Sequence, residues 1–306
     1  MSDLKLVDEF FNEFSSRAKL FYPAIHKNYE KNEVMFGVLA EKMLSWAYNF
    51  LGDELWPKTI EGYKAFVADV NRSQMKYEKT EKYINSSYEE VFNNVYDNGE
   101  FMEMYHWGVY ITTFAWEHHL ALHKYFNDNF LDLLPNEELR AIDLGAGSGI
   151  WSMFIVDRNN KWQTTAVDIS EKSVALTGKF IECNKFSDNI VMKAGDALTF
   201  RTDSLNDFGI SCFLIEHLEN PIDLLKNLHK NLKAGAYAFV TAALTAAEID
   251  HIFEIQKESE LITMAEATGF RVISSYSAAP QNYPRKLKFL PRSMAMVLQK
   301  KVNTIW

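Results

Sequence analysis

The chain has 306 residues, 47% hydrophobic and 24% charged, with a net charge of −9. This composition excludes a disordered, collagen-like or low-complexity chain, and the length suggests two domains or one with a large appendage. The negative balance excludes general affinity for nucleic acid, and Cys183 and Cys212 are too few for a disulfide scaffold or a four-cysteine zinc site.

The opening residues Met1 to Lys5 carry acid and lead into no apolar stretch, so they do not read as a signal peptide. No apolar run reaches the roughly 18 residues of a membrane span. A cytoplasmic protein without membrane contact is expected, and two thiols fit a reducing compartment. Residues 1–138 hold a net charge of −10 and 27 of the 43 aromatic residues, whereas residues 139–306 carry +1. We read 1–138 as a helical, substrate-selecting cap and 139–306 as a separate domain.

Met35, Val38, Leu39, Met43, Trp46 and Phe50 recur at helical spacing. Gly52-Asp53 and Trp56-Pro57 should interrupt the pattern. Lys76 to Tyr83 is charge-dense and reads as a solvated helix, Asp97-Asn98-Gly99 as a turn, and Met102 to Phe130 as a long helical segment. After Leu139 the pattern changes. Strands are expected at Arg140–Leu144, Thr164–Asp168, Asn189–Lys193, Phe208–Leu214 and Ala236–Ala243. Helices are expected at Ile150–Asp157, Glu171–Asn184, Pro221–Leu232 and Glu248–Thr268. Two late strands, Arg271–Tyr276 and Met294–Gln299, are joined by a stretch too irregular for a crossover helix, so the last strand should be antiparallel. Alternating strands and helices predict an α/β fold with a doubly wound sheet.

The run Ala141 to Trp151 places Gly145, Ala146, Gly147 and Gly149 between a buried strand and a helix. Glycines there let a ligand approach the backbone, and a helix N-terminus favours an anionic group such as a carboxylate. The spacing is G-x-G-x-G rather than the G-x-G-x-x-G of dinucleotide sites, which argues against a dehydrogenase. Asp143, two residues before the first glycine, would repel a pyrophosphate and attract a cationic amine or sulfonium. Asp168 ends the second strand, where a carboxylate can accept from a ribose diol. Asp196 follows the third strand and can accept from an adenine amine, with Ile169 and Ala197 placed to sandwich the base. Each has a plainer reading: a tight turn for the glycines, a turn or cap for Asp196. Cation, ribose and adenine in that order describe S-adenosylmethionine.

Four motifs in order now make residues 139–300 resemble the class I S-adenosylmethionine-dependent methyltransferases. They are Ile142 to Gly149, Val167-Asp168-Ile169, Gly195-Asp196-Ala197 and Phe213 to Leu218. The resemblance implies a Rossmann-like seven-stranded sheet with an antiparallel last strand, and S-adenosylmethionine as the methyl donor. It puts the acceptor site just after the fourth strand, at Glu216 and His217, and Phe213 among the residues that bind the donor, with Tyr105 and Tyr110. Glu216 and His217 are candidates for a base, and His217 could equally be a structural turn residue. Related O-methyltransferases of quinone biosynthesis can hold a metal on a Glu-x-x-Glu-His run, but Phe213 stands where the first Glu would be. His119 and His123 lie four apart on a helix with no third ligand evident, so no metal is expected. The resemblance also implies that a helical segment before the glycine loop covers the donor. Tyr105, His106, Trp107 and Tyr110 could then line the acceptor pocket, with His106 a further catalytic candidate, and an aromatic cage would suit a sulfonium or an amine.

The expected function is methyl transfer to a small, aromatic or amphipathic, natural-product-like molecule. The alternatives are a peptide or protein side chain as acceptor, or a non-catalytic partner protein with this fold. Aromatics of the first part could make a homodimer or could all be internal. Pro284 to Lys288 is a basic stretch read as a solvated loop.

Overall fold

A computed structural model describes residues 4–91, 99–280 and 287–302, with residues 99–103 described through their backbone alone. Its sheet contains β1 (Arg140–Leu144), β2 (Gln163–Asp168), β3 (Ile190–Ala194), β4 (Asn206–Cys212), β5 (Leu232–Leu244), β6 (Phe270–Ala278) and β7 (Arg292–Lys300). The seven strands lie in the order β3-β2-β1-β4-β5-β7-β6. The β1–β2, β2–β3, β1–β4 and β4–β5 pairs are parallel, and β7 is antiparallel to both neighbours. This is the expected Rossmann-like sheet. Beyond Arg140, β1 is buried throughout, and β4 nearly so, as strands covered on both faces must be. Strand order reverses between β1 and β4. Their carboxyl ends therefore flank a crevice, where sheets of this kind bind ligands.

The first part of the chain is helical: α1 (Lys5–Arg17), α2 (Tyr22–Lys31), α3 (Glu33–Leu51), α4 (Leu55–Thr80), the single turn α5 (Tyr88–Val91), α6 (Gly99–Ala115) and α7 (Glu117–Asn129). Helices α8 (Ile150–Arg158), α9 (Glu171–Cys183), α10 (Pro221–Asn231) and α11 (Glu258–Ala267) connect the strands. A Cβ on Gly62 would lie 2.5 Å from Met104 O, and one on Gly108 2.5 Å from Gly62 O, so bare glycines let α4 and α6 touch backbone to backbone. Trp46 of α3 packs on Phe154 and Phe186, and Phe126 of α7 on Phe239 of β5 at 4.8 Å. One hydrophobic core runs from Phe10 through Trp107 to Phe208 and Val297, so most of the aromatic surplus of the first part is internal.

Several expectations are corrected. The Met102–Phe130 segment breaks at Trp116, whose backbone is extended and whose indole N–H donates to the Tyr63 hydroxyl at 3.1 Å. Trp56-Pro57 does not interrupt a helix but opens α4, where a proline loses no hydrogen bond. Over Lys76–Tyr83 the helix ends at Thr80, and Tyr77 is buried, its hydroxyl bonded to Glu254. Val38 stays exposed while Leu39, Met43 and Trp46 of its stripe are buried.

The largest difference concerns Glu248–Thr268, of which only Glu258–Ala267 is α-helical. The stretch before it is irregular, with Asp250 and His251 buried. Its backbone groups bond to other elements instead of to a helix ladder: Ala247 N–H donates to Gln74 Oε1 at 2.9 Å, and Ile252 N–H to Glu216 O at 2.8 Å. Asp97-Asn98 and Pro284 to Lys286 lie outside the described residues. Among the described residues, no helix is long and apolar enough to cross a membrane.

Candidate functional site

The loop after β1 is tied to β2. The N–H groups of Gly145 and Ala146 both donate to Val167 O at 2.9 Å, and Gly147 N–H donates to Asp168 Oδ2 at 2.9 Å. Thr177 of α9 donates its hydroxyl to Gly147 O at 2.8 Å. Gly145, Gly147 and Gly149 all have positive φ, at 79°, 50° and 69°. A Cβ on Gly145 would meet Leu214 at 2.5 Å and one on Gly149 would meet Thr177 at 2.7 Å, whereas Gly147 has nothing within 4 Å. The first and third glycines are thus needed for packing, and the middle one faces open space.

Asp168 also accepts from Ser170 N–H at 2.9 Å, and burial raises its pKa against the effect of these two backbone bonds. Asp196 closes the next turn by accepting from Leu198 N–H at 2.8 Å. Ile169 is 57% exposed beside Asp168, and Ala197 is buried. Asp143 does not reach a ligand surface: it is 1% exposed, and its Oδ2 accepts from the Ser152 hydroxyl at 2.7 Å. Burial pushes this carboxyl up to about 7. Its role is to lock the start of α8 under the loop, which corrects the expectation that it lies against the ligand's positive charge.

A cavity of about 480 Å³ opens beneath the loop. Gly145, Ala146, Gly147, Phe213, Glu216 and His217 line its sheet side, and Tyr105, Tyr110, Trp116 and His119 line its helical side. Phe213 has φ 53°, a costly conformation for a bulky residue, and its N–H donates to Thr241 Oγ1 at 2.9 Å. That turn aims the ring at His119, with centroids 5.2 Å apart. Burial pushes the His119 imidazole down to about 3, so it stays neutral, bonded to the Thr112 hydroxyl at 3.2 Å.

The other end of the cavity is polar. Glu216 is 1% exposed; its Oε1 accepts from Ala243 N–H at 3.2 Å, and its Oε2 has no partner among the described residues. Burial pushes its pKa up to about 7. His217 Nδ1 lies 3.1 Å from Asp250 O; a carbonyl only accepts, so Nδ1 carries a proton. The Tyr105 hydroxyl lies 2.8 Å from Glu248 Oε2 and 3.0 Å from Asp250 Oδ1. Burial and the neighbouring Asp250 raise Glu248. Asp69 of α4 holds the same segment by accepting from Ile249 N–H, and burial raises it too.

The structure therefore brings the glycine loop, Phe213, Glu216, His217, Tyr105 and Tyr110 to one cavity. The Tyr110 hydroxyl is turned away to donate to Met43 O at 2.7 Å. Asp168, Ile169, Asp196 and Ala197 lie at the ends of β2 and β3, outside the cavity lining. His106 is a correction: it packs edge-on to Trp107 and is not part of the wall. Sequence reasoning missed Asp69 of α4, and Glu248, Asp250 and His251, whose only signal was their acid-acid-His run in a segment read as helix. It also missed Tyr88. This phenol is raised by burial and by the charges of Asp168 and Asp196, and its N–H donates to Glu219 Oε1 at 2.9 Å.

A family model described as a methyltransferase domain matches residues 116–275. No curated protein matches the chain. Among solved structures, the chain is similar to phosphoethanolamine N-methyltransferase 2 of Haemonchus contortus in complex with S-adenosyl-L-methionine. The TM-score is 0.54 at 13% identity, over 71% of this chain and 60% of that one. It is also similar to a Bacillus halodurans protein titled as a methyltransferase, with a TM-score of 0.50 at 15% identity over 59% of this chain and 99% of that one. At these identities the likeness concerns the fold.

Proposed function

The chain belongs to the methyltransferase-domain family, and from that premise we propose that it moves a methyl group from S-adenosylmethionine to a small aromatic or amphipathic acceptor held in the cavity. The observation that carries this reading is the open space at Gly147, beside Asp168 and continuous with a largely aromatic chamber. The residues present fit the donor. Gly147 would admit it to the backbone, Asp168 would accept from the ribose hydroxyls, and Asp196, Ile169 and Ala197 would receive the base. When bound, S-adenosylmethionine supplies an electrophilic methyl carbon on a cationic sulfur.

The protein's own tasks are positioning and shielding. Trp116, Tyr105 and Phe213 enclose the acceptor and exclude water. His217 Nε2 is the atom that would take a proton from an acceptor hydroxyl or amine, while Nδ1–H anchors the ring to Asp250 O. Titration calorimetry with S-adenosylmethionine and S-adenosylhomocysteine should show binding. Incubation of the protein with cell extract and methyl-labelled donor should yield a labelled small molecule. Absence of binding by the intact chain would overturn the donor assignment, and label found only on protein would overturn the acceptor assignment.

A further inference from the structure

We propose that the polar end of the cavity is a divalent metal site held by Glu248, Asp250 and His251, with Glu216, grouped with His217 around the same His251, as the buried carboxylate whose charge the ion would offset. Two sets of side chains meet there. One ligand atom each from Glu248, Asp250 and His251 lies within 4.8 Å of the other two, and the same holds for Glu216, His217 and His251. His251 belongs to both sets, so both converge on one imidazole. All five residues line the cavity.

The state of His251 suits ligation. Its Nδ1 lies 2.7 Å from Ala246 O, and since a carbonyl can only accept, Nδ1 carries the proton. Nε2 is left bare, 3.6 Å from Glu248 Oε2. A backbone carbonyl that fixes the tautomer in this way is the usual support of a metal-bound histidine.

The independent pointer to a ligand is Glu216. It is 1% exposed, it lines the cavity, and its Oε2 has no hydrogen-bond partner among the described residues. A carboxylate oxygen buried without a partner is costly, and a cation beside it removes that cost. The Tyr105 hydroxyl, in contact with Glu248 Oε2 and Asp250 Oδ1, would orient the other two carboxylates. Mixed imidazole and carboxylate donors suit a first-row divalent ion such as Zn²⁺ or Mn²⁺. Held from one side by the segment after β5, the ion would face the cavity and could take an acceptor oxygen. On this proposal the short run Glu248-Ile249-Asp250-His251 would supply the ligands.

The site is read from these side chains and stands apart from the methyl-transfer reading. Its test uses the whole chain after chelator treatment. Zn²⁺ binding is followed by calorimetry and Mn²⁺ binding by electron paramagnetic resonance, with S-adenosylmethionine binding and thermal melting recorded on the same samples. One equivalent of ion with micromolar or tighter affinity is expected. Glu248→Gln and His251→Asn should each weaken it about tenfold or more while leaving donor affinity within about twofold. His26→Gln, on the half-exposed outer face of α2, should leave metal affinity unchanged. No bound ion, or an ion bound equally by all variants, overturns the proposal; donor binding in the same samples then shows whether the methyl-transfer reading survives. Saturation by butylamine with neither ion bound also overturns it and assigns the carboxylates to an ammonium ligand.

Discussion

The backbone N–H of Gly147 and the carboxylate of Asp168 are joined by a 2.9 Å hydrogen bond that ties the loop after β1 to the end of β2. The residue proposed to read the ribose is therefore also the residue that shapes the loop. Asp168→Ala should lower stability by about 2 kcal/mol, since a charged acceptor of two backbone bonds is lost. It should also weaken S-adenosylmethionine binding by more than about tenfold. Urea unfolding and calorimetry on one preparation check both, and a variant that binds donor like the parent removes Asp168 from the site.

The glycines of the loop should separate folding from binding. Gly145→Ala and Gly149→Ala place a Cβ against Leu214 and Thr177 in addition to the strain of positive φ, so both should melt well below the parent. Gly147→Ala meets no atom within 4 Å and adds only about 1 kcal/mol of left-handed backbone strain. It should fold and yet bind donor poorly. A folded Gly147→Ala that binds donor like the parent would show that the space beside Gly147 is not what admits the donor.

Acid sensitivity follows from His123. Burial pushes its pKa down to about 3, below the 6.5 of the unfolded chain, so the unfolded state binds the extra proton between those values. Its contribution to stability is therefore full above pH 6.5 and declines as pH falls toward 3. The stability difference between the parent and His123→Gln should be flat above pH 6.5. Below it, the difference should shift by up to about 1.4 kcal/mol per pH unit in favour of the variant. Urea titrations at pH 7.5, 6 and 5 measure the slope, and a pH-independent difference refutes it.

Phe213 offers a test of strain at the acceptor wall. Truncating a fully buried Phe costs about 3 kcal/mol or more; Phe213 is only partly buried, and Phe213→Gly also releases about 1–2 kcal/mol of left-handed strain. Its net stability loss should fall clearly short of that of Phe180→Gly, which has no such strain to release and breaks α9 as well. The cavity should widen, so larger acceptors should be methylated relative to small ones. Unchanged acceptor preference in a folded variant would exclude Phe213 from the wall.

The residues proposed to hold the donor could be picked out in the sequence because they are local: Gly145 to Gly149 and Asp196 follow β1 and β3, Asp168 ends β2, and parallel pairing puts these strand ends side by side. Of the cavity's polar end, Glu216 and His217 could be picked out because they follow β4, but the groups that join them through tertiary contacts could not. Glu248, Asp250 and His251 sit in a run whose acids and apolar residues imitate an amphipathic helix. What prevents the helix is Gln74 and Asp69, more than 170 positions away in the chain, binding its backbone. His106 misled for the opposite reason: it is one residue from Tyr105 and Trp107, and a helix turns neighbours about 100° apart. Asp143 is next to the loop in sequence but beneath it in space, bonded to Ser152.

The bond between Gln74 and Ala247 has a consequence for how this molecule could be altered. The residues that would choose the acceptor hang from the sheet but keep their shape only while the first eighty or so residues grip them. A graft of these helices onto another sheet of the same type would carry over the aromatic ceiling and leave its ionic floor behind. On the proposed function, substrate choice would be a joint property of both parts, and changing it would call for paired substitutions on either side of that contact.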